Sequence, residues 1–253
     1  MKLIFRSGNV RLYHGDAAEV VKSLREKVDI TVTSPPYNTL GSRIPKRPTG
    51  MHANSGWMKK ITAIGYRDDM PEVLYQKWLG YIAAMCLDKS KGLVWINHKV
   101  RYRDGVALHP TRYLDFPIYS EVVWARAGSV AMNCKRFAPS HECVWGFGSP
   151  HWWNDEVNKL LSVWKITQCS NRTDHPCPYP EELAARLIMA SCPPGGVVLD
   201  PFGGSFTTGV AAIKSGRGFI GVDNKLKWVK AGAERMRDAI RQNADLSGRT
   251  RSA

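Results

Sequence analysis

Short apolar, β-rich runs that stop abruptly at Pro, Asp or Gly, with stretches of helix length between them, constrain this chain more than any other feature. Val28-Asp29-Ile30-Thr31-Val32-Thr33 is halted by Ser34-Pro35-Pro36-Tyr37-Asn38, and Val197-Val198-Leu199-Asp200 by a turn at Gly203-Gly204. Residues 93–97 and 219–223 read as buried strands, 10–12 as a short one, and 121–124 and 142–145 as two more. Between them, residues 17–24, 71–87, 181–191, 205–214 and 228–242 place apolar side chains three and four apart, the spacing of an amphipathic helix, with Asp16 positioned to cap the first. Strand, helix, strand is the order of a parallel pair with a helical crossover. The spacing therefore predicts an α/β fold with a doubly wound, largely parallel sheet.

Composition narrows what such a fold can do. The 253 residues hold 36 Lys and Arg against 22 Asp and Glu, a formal charge of +14, and 43% are hydrophobic. That apolar share can fill a sizeable core, which excludes wholesale disorder. No apolar run approaches the ~18 residues of a membrane span, and the opening Met1-Lys2-Leu3-Ile4-Phe5 breaks at Arg6, too short for a signal core. A soluble, intracellular, cytoplasmic protein with no membrane partner is expected. The six cysteines include no C-x-x-C pair and read as scattered thiols, with no metal site. The basic excess suits a polyanion, nucleic acid before a membrane surface. Residues 39–67 contain Arg43, Lys46, Arg47, Lys59, Lys60 and Arg67 and no acid, together with Pro45, Pro48, Gly50, Gly56 and Gly65. This stretch reads as a long loop whose bases are candidates for tracking DNA phosphates.

Two segments carry chemistry. In Leu199-Asp200-Pro201-Phe202-Gly203-Gly204-Ser205 an apolar strand ends in an acid and a glycine turn opens a helix, where open α/β sheets place their ligands and where helix N–H groups can meet an anion. Asp223 ends the next strand, near the ~20-residue offset of an acid that holds ribose hydroxyls. No G-x-G-x-x-G is present, and Val210-Ala211 stands where a phosphate loop needs Lys and Ser/Thr. A cationic nucleoside cofactor such as S-adenosyl-L-methionine fits better than a dinucleotide or triphosphate. In Ser34-Pro35-Pro36-Tyr37, two prolines stiffen a loop that displays carbonyls without donors. It suits a substrate bringing its own N–H groups, such as a nucleobase amine: the Ser34 hydroxyl and the Pro35 carbonyl would accept, and Tyr37 would offer a stacking face.

Ser34-Pro35-Pro36-Tyr37 followed by Asp200-Pro201-Phe202-Gly203-Gly204-Ser205 resembles the amino-group DNA methyltransferases acting on cytosine N4 or adenine N6, in the permuted β class whose catalytic half precedes its cofactor half. The likeness covers most of the chain. It implies catalysis by Ser34, Pro35, Pro36 and Tyr37, and S-adenosyl-L-methionine held by Asp16, His175, Asp200, Pro201, Phe202, Gly203, Gly204, Ser205 and Asp223. It further implies direct methylation of a base flipped out of double-stranded DNA, and it allows a homodimer. In this family serine before Pro-Pro goes with N4-cytosine enzymes and aspartate or asparagine with N6-adenine enzymes, so Ser34 favours cytosine. Adenine N6 is the alternative, and a non-enzymatic basic DNA-binding protein on the same scaffold a further one. Methylation of RNA or of a protein glutamine would use the same acceptor chemistry. The chain is expected to be a single domain: a catalytic half over 1–125 carrying the basic loop, target recognition within about 126–172, a cofactor half over 173–243, and a tail.

Overall fold

The computed structural model describes residues 1–39, 69–103, 105–126, 137–167 and 179–249. Arg43, Lys46, Arg47, Lys59, Lys60, Arg67 and His175 lie outside the described residues.

The chain runs β1 (Lys2–Ser7), β2 (Val10–His14), α1 (Ala17–Ser23), β3 (Ile30–Thr33), α2 (Glu72–Lys89), β4 (Val94–His98), β5 (Arg101–Arg103), β6 (Val106–Leu108), β7 (Ile118–Ala125), β8 (His141–Phe147), β9 (Val163–Lys165), α3 (Glu181–Ser191), β10 (Val197–Asp200), α4 (Thr207–Lys214), β11 (Gly218–Asp223) and α5 (Leu226–Arg249). Apart from the small β5–β6 hairpin, the strands form one nine-stranded sheet in the order β1-β2-β11-β10-β3-β4-β8-β7-β9. From β2 through β11, β10 and β3 to β4 every neighbour is parallel. Strands β3 and β10 are thus adjacent although β3 ends 164 positions before the start of β10, Thr33 to Val197. The Ser34 loop and the Asp200 turn therefore leave the same edge of the sheet side by side.

The alternation of side chains along β4 shows how the two faces are filled. Val94 and Ile96 join Tyr75, Leu79, Ile82 and Cys86 of α2 in one apolar cluster. Leu93, just before the strand, and Trp95 join Leu183, Leu187 and Ile188 of α3 and Val229 and Met236 of α5 in another. A strand buried on both faces needs apolar residues at successive positions, which is why these segments read as continuous runs. Trp95 lies across the neighbouring strand at Gly146, where an added Cβ would sit 2.7 Å from its ring. Trp164 is buried in the same cluster and Trp153 packs against it.

Several elements differ from the sequence reading. β1 was not expected, because its exposed, basic pattern carries little burial signal; it pairs antiparallel with β2 across a tight turn in which Gly8 has φ +53°. The edge strand β9 and the β5–β6 hairpin are three residues per strand, too short for periodicity to register. Helix α4 begins at Thr207 rather than Ser205, because Phe206 takes a left-handed conformation at φ +57° and turns its ring into the core. No helix among the described residues is long and apolar enough to cross a membrane.

Candidate active site

A cavity of about 640 Å³ opens at the carboxyl ends of the parallel strands. Its lining takes Ser34, Pro36 and Asn38 from the loop after β3, Pro201, Phe202 and Gly204 from the turn after β10, and Asp223, Asn224 and Lys225 from the end of β11. Gly15, Asp16 and Ala17 contribute from the start of α1, Asp69 to Pro71 with Tyr75 and Trp78 from α2 and its approach, and Trp228 from α5. The volume lies within the roughly 300–1,000 Å³ of small-molecule sites. Although the protein is strongly basic, Asp16, Asp69 and Asp223 face this space against the one cation Lys225 among the described lining residues. An acid-lined hollow in a cationic protein selects a positively charged guest.

The turn after β10 is held from within. Thr33 Oγ1 donates to Asp200 Oδ1 at 2.7 Å, Thr208 Oγ1 to Oδ2 at 2.5 Å, and the Phe202 N–H to Oδ1 at 3.0 Å. Asp200 is buried, which pushes its carboxyl above the usual range against the pull of these donors. It is not among the lining residues; it staples the end of β3 to the turn after β10. The Gly203 N–H goes to the Val222 carbonyl at 2.7 Å and the Gly204 N–H to Asp223 Oδ2 at 3.0 Å. The donors at Phe202, Gly203 and Gly204 are thus engaged within the protein, and the anion-binding role expected of this turn does not rest on them. Gly203 is required because an added Cβ would collide with the buried Phe206 ring. Ser205, like Gly203, is absent from the lining; its hydroxyl meets Thr207 Oγ1 at 3.0 Å.

Asp223 does face the cavity. Burial pushes its carboxyl up to about 6, opposed by the N–H groups of Lys225, at 2.7 Å from Oδ1, and of Gly204. Asp16 caps α1, accepting from Ala18 N at 2.9 Å and Glu19 N at 3.1 Å, while still lining the space. Phe202 and Trp78 meet at 5.4 Å between ring centroids and, with Trp228, supply flat apolar walls.

In the loop after β3, Ser34 lines the cavity and Pro35 is buried. Tyr37, expected from the sequence to offer a stacking face, is not among the cavity-lining residues. Its hydroxyl lies 2.8 Å from Ser34 Oγ and donates to Glu142 Oε2 at 2.9 Å, and this bonding turns the ring toward His98, 4.6 Å away between centroids. Asn97 Nδ2 donates to the same phenol oxygen at 2.6 Å and to Glu142 Oε2 at 3.0 Å. Tyr75 anchors the preceding residue, its hydroxyl donating to the Pro36 carbonyl at 2.7 Å and lying 2.7 Å from His98 Nε2. Burial holds His98 down near about 3, so the ring is neutral. Asn38, at φ +54°, reverses the chain, and its Nδ2 donates to the Met70 carbonyl at 2.8 Å.

Asn97, Glu142, Tyr75, Trp78 and Trp228 were missed by sequence reasoning. Asn97 had a usable signal: it is a polar residue at the carboxyl end of an otherwise apolar strand, the feature that singled out Asp200. Burial pushes the thiols of Cys86 and Cys192 up to about 12 and of Cys143 to about 11, so none of these is a ready nucleophile; Cys177 lies outside the described residues.

A doubly wound sheet with a cavity at the carboxyl ends of its strands is the arrangement in which open α/β folds bind their ligands. The matches place it further. A family model described as DNA methylase, for N6 and N4 amino groups, matches residues 28–234, and the chain belongs to this family of DNA amino-methyltransferases. The type II methyltransferase M2.LlaDCHI of Lactococcus lactis subsp. cremoris is 27% identical over 262 residues, covering 93% of this chain and 92% of its own. The DNA adenine methyltransferase YhdJ of Escherichia coli K12 is 27% identical over 272 residues, covering 92% and 85%. Among solved structures, PvuII DNA methyltransferase (cytosine-N4-specific) superposes with a TM-score of 0.69 at 19% identity over 94% of each chain. M1.HpyAVI, solved as its SAM complex, gives 0.58 at 20% identity over 89% of this chain and 98% of its own. The α/β fold is that of methyltransferases, and the substrate polymer of the family is DNA.

Proposed function

We propose that this chain transfers a methyl group from S-adenosyl-L-methionine to the exocyclic N4 of a cytosine flipped out of double-stranded DNA. The observation that carries the proposal is that Ser34 and Asp223 line one cavity. The residues fit the cofactor: Asp223 for ribose hydroxyls, Phe202, Trp78 and Trp228 for a purine face, and Asp16 and Asp69 for positive charge. When bound, it supplies an electrophilic methyl group on a sulfonium. Ser34 Oγ and the Pro35 carbonyl accept the hydrogens of the amine, which localises its nitrogen lone pair for in-line attack. The stiff Pro-Pro backbone fixes those acceptors before the base arrives. Asp200 ties that loop to the cofactor turn through Thr33. Ser34 supports cytosine by the family's own pattern. Adenine N6 is the second reading, favoured by the likeness to the Escherichia coli adenine enzyme. The domain division, the basic loop's DNA contacts at Arg43, Lys46, Arg47, Lys59, Lys60 and Arg67, and a homodimeric assembly belong to the same proposal.

Radiolabelled S-adenosyl-L-methionine offered with duplex DNA, RNA and protein tests it: label is expected in DNA, and label only in RNA or protein refutes it. Cofactor binding also has a predicted pH dependence. Ribose hydroxyls donate to the Asp223 carboxylate, and the free carboxyl titrates at about 6, so affinity falls as pH drops through that value. The loss approaches about tenfold per unit below it, as expected for one linked proton. Isothermal titration from pH 5 to pH 8 checks this, and an affinity flat across about pH 6 contradicts it.

A further inference from the structure

Ser34 faces the cavity, but its hydroxyl proton must point somewhere. The buried cluster behind it decides where. Glu142 on β8 is buried, its Oε1 3.1 Å from Arg126 Nη1 and its Oε2 2.9 Å from the Tyr37 hydroxyl. A carboxylate accepts only, so Tyr37 is the donor in that bond. A phenol has one hydrogen, so at the 2.8 Å contact between Tyr37 and Ser34 the serine must be the donor. Asn97 reinforces this order, its Nδ2 donating to the phenol oxygen at 2.6 Å and Glu142 Oε2 at 3.0 Å, with Ser34 Oγ at a longer 3.4 Å as a third acceptor and never a donor to it. The amide is held that way although Asn97 Oδ1 finds no partner among the described residues, because the reverse orientation would set an amide oxygen against the carboxylate.

From this order of donors we infer that Glu142, acting through Tyr37, is a positioning residue that turns the Ser34 oxygen lone pairs toward the cavity and drains the proton released on methylation. The inference rests on the amine-methylation reading above. As the amine nitrogen forms its bond to the methyl carbon, the carbon–sulfur bond breaks with its electron pair on sulfur, and the nitrogen carries one proton in excess. That proton passes to Ser34 Oγ as the serine proton moves to the Tyr37 oxygen and the phenol proton to Glu142 Oε2. Every hydrogen already points along this path, so no group need rotate before transfer. Glu142 then releases the proton to water, and the hydroxyls return. The same polarity discriminates bases: an exocyclic amine presents hydrogens to Ser34, whereas a carbonyl at that position would meet lone pairs.

The test uses Glu142→Gln and Tyr37→Phe in the full chain, each checked for an unchanged S-adenosyl-L-methionine affinity. Single-turnover methylation by Glu142→Gln is expected to slow at least tenfold and to gain a rise with pH that the parent lacks, as hydroxide replaces the lost acceptor. In Tyr37→Phe the further change Glu142→Gln should add little, since the path is already cut. A binding measurement probes the polarity without turnover: the parent should prefer a duplex with cytosine at the methylated site over one with uracil there. Glu142→Gln should narrow that preference, because a glutamine amide can donate to Tyr37 and free Ser34 to donate in turn. Equal rates and the same pH profile in parent and Glu142→Gln, or an undiminished cytosine preference, would overturn the inference. If the parent methylates no base amine at all, it is the underlying reading that fails.

Discussion

Ser34→Ala is expected to slow single-turnover methyl transfer by about 10²–10³-fold, the effect of deleting one preorganised partner of the reacting atoms. Cofactor affinity should stay close to that of the parent, because the residues assigned to the cofactor, Asp223, Asp16 and the aromatic walls, are supplied by other elements than the Ser34 loop and are left unchanged. The substitution removes the acceptor for one amine hydrogen and leaves Tyr37 bound to Glu142 and Asn97, so the loop behind the site keeps its shape. Rapid-quench kinetics with prebound DNA, set beside calorimetric cofactor binding, separate the two effects. A variant that keeps its rate, or that loses cofactor affinity in step with its rate, would remove Ser34 from the chemistry.

Arg101→Met should cost about 3–5 kcal/mol of stability, as breaking a buried ion pair on one side does. Arg101 donates to Glu72 through both guanidinium arms, at 2.6 and 2.8 Å, and both side chains are almost wholly inaccessible. Burial pushes Glu72 up from its ordinary 4.5, but the hydrogen bonds from Arg101 and Gln76, the charge of Arg101 and the bond from Asn38 outweigh it and hold the carboxyl below that value. The sign of the pH effect follows. A lowered carboxyl contributes stability that is present above the unfolded value and lost as pH falls through the folded one. In Arg101→Met the glutamate is a lone buried charge at neutral pH and is relieved once protonated. The gap in melting temperature between parent and variant, about 6–20 °C near neutrality, should therefore narrow on acidification, beginning above the ordinary 4.5, where the unpaired glutamate takes its proton, and closing below it, where the paired one does. A gap that does not change with pH would show that the charge is not what the pair contributes. Because Asn38 Nδ2 also reaches Glu72 Oε2, at 3.4 Å, the same variant should loosen the catalytic loop.

What the sequence made legible was local. Two prolines after a buried strand, an acid and a glycine turn after another, and an acid ending a third are each contiguous, and each marks a loop whose backbone is constrained by its own residues. The parallel sheet followed from the alternation of strands and helices. What escaped was assembled by pairing between distant segments. Asn97 and Glu142 sit on adjacent antiparallel strands, and only the register that sets Asn97 beside Val144 brings their side chains to Tyr37. Trp78 and Tyr75 were hidden in the amphipathic pattern of α2, where apolar spacing says that a face is buried without saying that part of it walls a cavity. The contacts of Tyr37 escaped because Pro-Pro-Tyr shows a flat aromatic but not the carboxylate that engages its hydroxyl. Asp200 was read as a cofactor ligand from its position at a strand tip, whereas two threonine hydroxyls and a backbone N–H occupy both of its oxygens.

Enzymatic digestion of DNA treated with the protein and S-adenosyl-L-methionine, followed by mass spectrometry of the nucleosides, addresses the chemistry most directly. N4-methylcytosine is the product the proposed function predicts. N6-methyladenine would keep the amine chemistry and reassign the base, while 5-methylcytosine or no methylated nucleoside would contradict the account at its centre.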